Sequence, residues 1–413
     1  MSDTSRSSKF TNIVSGGAVA LLVAIAVIVL IVMGAFRFSR PIPAVDAAKT
    51  EENIVLPGEL KVTFPEQGQS AVGTDVFGVI ASSPDQTPLP IASVAKTMTA
   101  YITLKTYPLK PGEEGPSLKI TDEDVAGYKY AVENKHSYLP VALGKALTER
   151  QLIIGLMLPS GNNVADTLGR WVSGNDEAFI KKMNETAKDL GMLNTHYADA
   201  SGANEATVSN AVDQIIMAQA AMQDPAFREI VAMPDAVLPV AGKVYNVNAM
   251  LGKNGIVGIK TGSGVIAGGN FVSAAPIVNG SEKHYVIAAV LGSRKPNQNL
   301  KSALDANAQI LDQVRPQFKT FTIEPPANGF GKITTPWHTE SELTVNEPIQ
   351  IFGYPGMKID YSIDSLEIKL PAAPGTDVAT LTIRTGKTSR TYTMQNKVQI
   401  DLPGFMWRIL RMK

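Results

Sequence analysis

Three short motifs, widely separated along the chain, constrain this sequence more than any other feature. SVAK occupies residues 93–96, SGN occupies 160–162 and KTG occupies 260–262. Each motif alone is weak, because a chain of this length should contain on the order of one or two SxxK matches by chance. Here SxxK and KTG each occur once. Their order and their wide spacing argue against coincidence and indicate one shared chemistry.

The composition excludes several classes of protein. Hydrophobic residues make up 44% of the 413 residues and charged residues 18%, which is enough for a sizeable core. The net charge of zero argues against a nucleic-acid partner. The lack of cysteine excludes disulfides, thiol catalysis and cysteine-ligated metals. The four histidines have no zinc-binding spacing, so we expect neither a metal nor a cofactor.

The N-terminal segment is predicted to cross a membrane. Residues 13–36 carry no charge and, as a helix, are long enough to span a bilayer. A cleaved signal peptide normally has a shorter apolar region, roughly 7–15 residues, so we favour an uncleaved anchor. Small-residue sites around residues 44–48 leave cleavage open as the alternative. The flanking basic residues are balanced and do not set the orientation.

The rest of the sequence divides into regions of different texture. The predicted segments are a cytoplasmic tail (1–12), a transmembrane anchor (13–36), a linker (37–52), a catalytic domain (53–315) and a C-terminal β-rich domain (316–413). Within the catalytic domain the hydrophobic pattern predicts helices at 93–105, 152–158, 179–190, 211–222 and 301–314. Strands at 255–261, 270–275 and 285–291 are expected to form an antiparallel meander, with the last helix packed against it.

Short alternating segments dominate the C-terminal region, which we predict to be all β. The predicted strands are 319–323, 341–345, 349–352, 365–370, 379–384 and 391–394. The final segment, 405–413, mixes aromatic and basic residues. It is interpreted either as a membrane-surface contact or as a strand end packed on the β domain.

Ser93 and Lys96 are the candidate nucleophile and base. They lie three residues apart on a predicted helix, so their side chains share one face. A serine hydroxyl becomes a good nucleophile when a base takes its proton, and a neutral lysine can be that base if its pKa falls. Burial and a second cation both lower a lysine pKa, and Lys260 is the candidate cation. The alternative, in which Ser93 is only a helix cap, is weakened by the other two motifs.

Ser160 and Asn162 follow a predicted buried helix that ends at Pro159. A loop there can direct both side chains into a cleft. The hydroxyl could relay a proton to a leaving group, and the amide could bind both the lysine and the substrate. A second SxN match lies at 173–175, before two acidic residues. That match is predicted to be an exposed turn and helix cap.

The KTG motif is predicted at the end of a strand. Lys260 would supply a fixed cation for a carboxylate, and Thr261 would offer a hydroxyl to the same group. Gly262 is expected to let a substrate backbone approach closely. The N–H groups of Ser263 and Ser93 are candidate oxyanion donors. An extended peptide is expected to add to the edge of this strand.

The motifs in this order are typical of serine acyl-transferases that act on D-alanyl peptides and penicillins. Several runs resemble the D-alanyl-D-alanine carboxypeptidases, the low-molecular-mass penicillin-binding proteins of the S11 peptidase type. They are residues 90–100, 191–196 with 200–202, 246–251, 258–262 and 267–272. The resemblance covers about residues 70–315. It implies an α/β (α+β) catalytic domain of the serine β-lactamase/DD-peptidase type with an antiparallel sheet. The β-rich domain and the N-terminal transmembrane helix complete the expected architecture.

The resemblance also implies roles and partners. Ser93 would form the acyl ester, Lys96 would accept its proton, Ser160 would be the second-motif serine and Lys260 would contact the substrate carboxylate. The implied reaction removes the terminal D-alanine of peptidoglycan stem peptides, and β-lactam antibiotics would acylate the same serine. The implied location is a single-pass protein of the cell membrane, with the catalytic domain outside the cell.

Two positions depart from the family pattern, and both concern substrate affinity. Val212 stands where the family often has an arginine. Asn299 stands near the expected place of an arginine that contacts the substrate carboxylate, with Arg294, Lys295 or Lys301 as candidate replacements. A DD-transpeptidase, a β-lactamase and a non-catalytic β-lactam sensor are the alternative functions. The ExxLN loop that class A β-lactamases use for deacylation is missing after the second motif.

Overall fold

The computed structural model describes residues 7–49, 53–325, 329–386 and 388–411, with side chains described from residue 17. Residues 1–6 of the predicted tail, 50–52 of the predicted linker and 412–413 of the C-terminal segment lie outside the described residues. The ten helices of the described ranges are α1 (Ser7–Ser39), α2 (Lys96–Thr106), α3 (Asp122–Glu133), α4 (Glu149–Met157), α5 (Asn162–Ser173), α6 (Asp176–Asp189), α7 (Ala211–Ala221), α8 (Pro225–Val231), α9 (Asn299–Val314) and α10 (Phe405–Leu410).

The strands of the described ranges fall along the whole chain after α1. They are β1 (Ala47–Lys49), β2 (Asn53–Val55), β3 (Gln69–Thr74), β4 (Gly78–Ser82), β5 (Leu89–Pro90), β6 (Ser117–Lys119), β7 (Ala146–Thr148), β8 (Val208–Ser209), β9 (Asp235–Leu238), β10 (Gly242–Tyr245), β11 (Gly258–Gly264), β12 (Gly268–Asn279), β13 (Glu282–Ser293), β14 (Lys319–Ile323), β15 (Gly331–Thr334), β16 (Glu340–Val345), β17 (Ile349–Gly353), β18 (Lys358–Ser365), β19 (Asp377–Thr385) and β20 (Thr388–Asn396).

A five-stranded antiparallel sheet forms the centre of the first region. Its strand order is β11-β12-β13-β3-β4, with Lys260 opposite Val272. Because side chains alternate between the two faces of a strand, Ala288 packs into the core under α9 and Ala289 into the larger helical core on the other face. The predicted meander and closing helix are present, and β3 and β4 extend the sheet beyond it.

A seven-stranded antiparallel sheet forms the second region, around a core of its own. Its order is β1-β15-β16-β20-β19-β18-β2. The predicted linker therefore contains a strand, β1, and the first residues assigned to the catalytic domain, β2, pair with β18. The prediction of a strand at 365–370 is wrong. The strand in this part of the chain, β18, ends at Ser365, and Ile368 and Leu370 pack against the core outside any strand.

The C-terminal segment is a short helix, so its interpretation as a strand end is wrong. Helix α10 packs between the second sheet and the end of α1. The indole of Trp407 donates to the carbonyl of Pro336 at 3.1 Å. The ring of Phe405 lies 5.6 Å from that of Phe38, measured between centroids. The exposed apolar stretch Gly17–Ser39 of α1 is long enough to cross a membrane, by length and composition.

Candidate active site

Ser93 lies in a tight turn immediately before α2. The turn is a 3₁₀ helix, Ala92–Ala95, and Ala92 adopts a left-handed φ of +47°. A residue with a side chain is strained in that conformation and stays there only when its surroundings hold it. Val94, Ala95 and Met98 are buried and fix the turn in the helical core. The side chain of Ser93 is left at the surface of this core, half-buried.

Lys96 is the centre of the site. Its side chain is fully buried, and its Nζ donates to Ser93 Oγ at 2.8 Å, to Asn162 Oδ1 at 2.7 Å and to the carbonyl of Ser201 at 2.9 Å. Burial lowers the pKa of Lys96 to about 7, against the opposing effects of Asp199 and then Asp166. The amine is therefore available in its neutral form near neutral pH.

The second motif lies between two helices whose ends fix it. Helix α4 begins with a capping box at Thr148 and ends at Met157, and α5 begins at Asn162. Between them Ser160 has a φ of +67° and is only 4% exposed. Its Oγ has no hydrogen-bond partner among the described residues. A buried hydroxyl without a partner is costly, which indicates that it is placed for something other than packing.

The second SxN match has the predicted structural role. Asn175 is the N-cap of α6, and its side-chain oxygen accepts from the N–H of Ala178 at 2.8 Å. Gly174 ends α5 with a φ of +85°. The prediction of an exposed turn and helix cap is confirmed.

Lys260 lies on β11, which forms the edge of the first sheet within the described residues. The side chain is 1% exposed, and its Nζ donates to the carbonyl of Thr261 at 3.0 Å. Burial, and then the charge of Lys96, hold the pKa of Lys260 well below its usual range. The charge of Lys96 therefore disfavours a charge on Lys260.

Gly262 has a structural role that was not predicted. A Cβ there would lie 2.7 Å from the carbonyl oxygen of Ile91 and 3.1 Å from the backbone nitrogen of Ser93. The missing side chain thus admits the turn that carries Ser93. The third motif is in this way packed directly against the first. Ser263 follows at an exposed position of the same edge strand.

Three residues around Lys96 had no predicted role in the site. They are Ser201, whose carbonyl accepts from the amine, and the carboxylates Asp199 and Asp166. Residues 200–202 contributed to the family resemblance, and that was the one available signal for Ser201. The contact joins residues 105 positions apart, so no local pattern could predict it.

The basic residues considered as replacements for the family arginine have other contacts. Arg294 donates to the carbonyls of Val265 and Ile266, in the turn after β11. Lys301 pairs with Asp305 at 2.5 Å. Asn299 begins α9, and its side-chain oxygen accepts from the N–H of Lys295 at 2.8 Å. Of the three candidates, Arg294 is the one bound to the end of the KTG strand.

Comparison with known proteins agrees with this geometry. The family model described as D-alanyl-D-alanine carboxypeptidase, peptidase S11, matches residues 69–295. The carboxypeptidase DacF of Bacillus subtilis is 25% identical over 308 residues, 71% of this chain and 75% of that protein. A D-alanyl-D-alanine carboxypeptidase of Mycobacterium tuberculosis is 31% identical over 218 residues, 51% of this chain and 70% of that protein.

A solved structure gives the same result for the fold. The crystal structure of a Streptomyces DD-transpeptidase aligns with a TM-score of 0.53 at 28% identity, over 61% of this chain and 98% of that one. The predicted fold class is thereby confirmed. From its sequence, its fold and its relatives, this chain belongs to the S11 peptidases, the D-alanyl-D-alanine carboxypeptidase family.

Proposed function

We propose that this chain is a serine-type D-alanyl-D-alanine carboxypeptidase with Ser93 as its nucleophile. The substrate is the peptidoglycan stem peptide, and the bond cleaved joins its two terminal D-alanines. The observation that carries the proposal is the 2.8 Å contact between Ser93 Oγ and the buried amine of Lys96. A serine becomes reactive beside a base that can take its proton, and the lowered pKa of Lys96 supplies one.

The other contacts of Lys96 set the direction of proton transfer. A neutral amine has two hydrogens and one lone pair. The oxygens of Asn162 and Ser201 are acceptors only, so they take the two hydrogens. The lone pair is then left for Ser93 Oγ. In this arrangement the serine hydroxyl donates to the amine and loses its proton as it attacks the substrate carbonyl.

The later steps use the remaining motif residues. We assign the backbone N–H groups of Ser93 and Ser263 to the developing oxyanion. The Oγ of Ser160 passes its proton to the amine of the departing D-alanine and receives in exchange the proton that Lys96 took from Ser93. Water then hydrolyses the acyl-enzyme on Ser93. A β-lactam would acylate the same oxygen of Ser93. The proposed reaction needs no cofactor.

Lys260 and Thr261 are assigned to the terminal carboxylate of the substrate. An arriving carboxylate would favour the charged form of Lys260, whose pKa is otherwise held low by burial and by Lys96. A charge-assisted hydrogen bond of this kind is worth about 1.5–3 kcal/mol. A substrate whose carboxylate is amidated should therefore react more slowly than the free acid.

The chain is proposed to be held at the membrane by an uncleaved α1, with its body outside the cell where the substrate lies. The guanidinium of Arg408 in α10 donates to the carbonyl of Phe38 at 2.8 Å and lies 3.9 Å from the centre of that ring. Arg411 donates to the carbonyl of Pro41 at 3.0 Å. Cleavage around residues 44–48 would remove every one of these partners, which supports retention of the anchor.

We also propose a two-domain body, with a catalytic domain up to about residue 315 and a β-rich domain from 316. The separate cores of the two sheets support this division. The strands β1 and β2 are assigned to the β-rich domain, because they pair with β15 and β18.

Transpeptidation is the second candidate function, and the structural likeness to a DD-transpeptidase favours it. The acylation half of the reaction is the same, and only the acceptor differs. The test adds a glycine-containing amine to the assay as an acceptor. The ratio of the transfer product to the free acid then gives the proportion of transpeptidation and hydrolysis.

The proposed function is tested with diacetyl-Lys-D-Ala-D-Ala and the full chain in detergent. Release of D-alanine by the wild type, and none by Ser93→Ala, is the expected result. Equal release by both proteins would contradict the assignment of Ser93. No release by the wild type, together with no penicillin labelling, would instead favour a non-catalytic protein.

A further inference from the structure

We propose that Asp199 is a positioning residue for acylation, because its carboxylate closes the turn that holds the Ser201 carbonyl against Lys96. The inference rests on the proposed function, in which Lys96 is the base. Asp199 lies in the long segment between α6 and α7. It belongs to none of the three motifs and touches neither Ser93 nor Lys96 by a hydrogen bond in the described residues.

The carboxylate of Asp199 accepts four hydrogen bonds from residues 201–207 of its own loop. Its Oδ2 accepts from the hydroxyl of Ser201 at 2.7 Å, from the N–H of Ser201 at 3.2 Å and from the N–H of Ala203 at 2.9 Å. Its Oδ1 accepts from the hydroxyl of Thr207 at 2.6 Å. A carboxylate is suited to this place, since all four partners donate and its two oxygens accept only.

The turn held by Asp199 contacts α2 at two places. The Ser201 carbonyl accepts from Lys96 Nζ at 2.9 Å, and the Ala200 carbonyl accepts from the hydroxyl of Thr99 at 2.6 Å. Lys96 and Thr99 are three residues apart and share a face of the helix. The backbone of the turn is therefore fixed along the side of α2 that carries the base.

The same turn also packs against the segment that carries the nucleophile Ser93. Gly202 has a φ of +77°, and a Cβ there would lie 1.9 Å from the carbonyl oxygen of Ala92. Only glycine fits so close an approach. Ala92 is the residue with the left-handed φ immediately before Ser93. The Asp199 carboxylate thus holds a turn that contacts both Ala92, next to the nucleophile, and Lys96, the base.

The consequence for catalysis follows from the lone pair of Lys96. If the Ser201 carbonyl moves away, the neutral amine has one acceptor fewer, and its lone pair is free to rotate away from Ser93 Oγ. Charge adds a second effect. The charged groups that act on the pKa of Lys96 are Asp199 itself and Asp166 on α5, while Lys96 in turn lowers the pKa of Lys260 on β11. Loss of the Asp199 charge would lower the pKa of Lys96 further.

The test compares Asp199→Asn with the wild type in the rate of acylation by a fluorescent penicillin, measured across pH. The amide cannot accept on its nitrogen, so the turn loosens, and we expect the rate to fall about 10- to 100-fold. We also expect the acid limb of the profile to move to lower pH. A role in folding alone would lower the melting temperature and leave the limb in place.

A matched control is Asp213→Asn. Asp213 accepts from the N–H of Asn194 at 2.8 Å and from the hydroxyl of Thr195 at 2.7 Å, so it also holds a loop, but it is not among the groups acting on Lys96. We expect it to lose stability and keep the acid limb of the wild type. If Asp199→Asn fails to fold, Thr207→Val removes one donor and should lower the rate by a smaller factor.

Acylation by Asp199→Asn within about twofold of the wild type, with an unmoved acid limb, would overturn the proposal. A rate loss without a shift of the limb, matched by Asp213→Asn, would also overturn it. Neither result touches the proposed function, which depends on labelling of the wild type and its absence in Ser93→Ala.

Discussion

Lys96 has three oxygen acceptors around one amine, and at the residue scale this arrangement decides how the site can work. In the charged form all three hydrogens are donated, and Ser93 Oγ only accepts. In the neutral form two acceptors keep their hydrogens and the serine becomes the donor. The protonation state of Lys96 therefore switches Ser93 between an inactive and an activated hydroxyl.

This switch predicts the pH dependence of acylation. Burial lowers the pKa of Lys96 to about 7, and the neutral fraction grows as pH rises through that value. The acylation rate should fall about tenfold for each pH unit below the pKa and level off above it. Stopped-flow labelling with a fluorescent penicillin measures the profile. A rate that is constant between about pH 5 and pH 7 would contradict a lysine base.

The variant Lys96→Arg belongs to the same prediction, since arginine stays charged at accessible pH. Its acylation rate should fall by about 10²–10⁴-fold, the usual contribution of a general base. If it keeps more than about a tenth of the wild-type rate, another group takes the proton.

Gly262→Ala tests the contact between the third motif and the Ser93 turn. The added Cβ would lie 2.7 Å from the carbonyl oxygen of Ile91, so the turn has to shift. We expect lower thermal stability and loss of acylation. Gly264→Ala is the control on the same strand, because its nearest neighbour would be the Cβ of Ala267 at 3.5 Å, an ordinary contact. Equal acylation by both variants would show that the close approach is unimportant.

The sequence predicted some contacts of the site and could not predict others. The spacing of Ser93 and Lys96 on a helix indicated one shared face, and the two side chains are within 2.8 Å. The acceptor from Ser201 comes from a distant turn, and a backbone carbonyl leaves no mark in residue type. The packing of Gly262 against the Ser93 turn was not predicted, because sequence alone does not show which backbone lies opposite a glycine.

At the scale of elements, the two SxN tripeptides show that a motif acquires meaning from the elements around it. Asn162 begins α5 beside Lys96, whereas Asn175 caps α6 at the surface. Asn162→Ala removes an acceptor of the base and should lower the acylation rate strongly. Asn175→Ala should cost about 1 kcal/mol of stability and leave acylation unchanged. Melting curves and penicillin labelling of both variants check this, and the reverse pattern would contradict the choice of motif.

Helices were easier to predict than central strands. The predicted helices match α4, α6, α7 and α9 to within a few residues. Helix α6 buries only one face, through Phe179, Met183 and Ala187, whereas the apolar run of α4 is buried on nearly all sides. Strand β3 was missed. It is buried along its whole length and includes Gln69 and Ser70, so it shows no alternation between apolar and polar residues. A central strand covered on both faces carries no period-two signal.

At the scale of the whole molecule, the last described helix, α10, lies against the C-terminal end of the first helix, α1. Arg408 and Phe405 of α10 contact Phe38 of α1, and Trp407 contacts Pro336 of the second region, so α10 links the two. The sequence predicted the apolar span. It could not predict this contact, because it joins residues more than 370 positions apart.

An outward-facing body predicts the result of protease treatment. Protease added to intact protoplasts should digest the chain after residue 50 and leave an α1 fragment with the membrane. The control is the same digestion after lysis, with a cytoplasmic protein as the marker of intact cells. Full protection of the body in intact protoplasts would place it in the cytoplasm and remove the case for a cell-wall substrate.

The central claim is that Ser93 is the acylated residue, and mapping a covalent penicillin adduct tests it most directly. The full chain is labelled with a fluorescent penicillin, digested and analysed by peptide mass. One adduct is expected, on the peptide that contains Ser93, and none in a folded Ser93→Ala variant. An adduct on Ser160, or no adduct on the folded wild type, would contradict it.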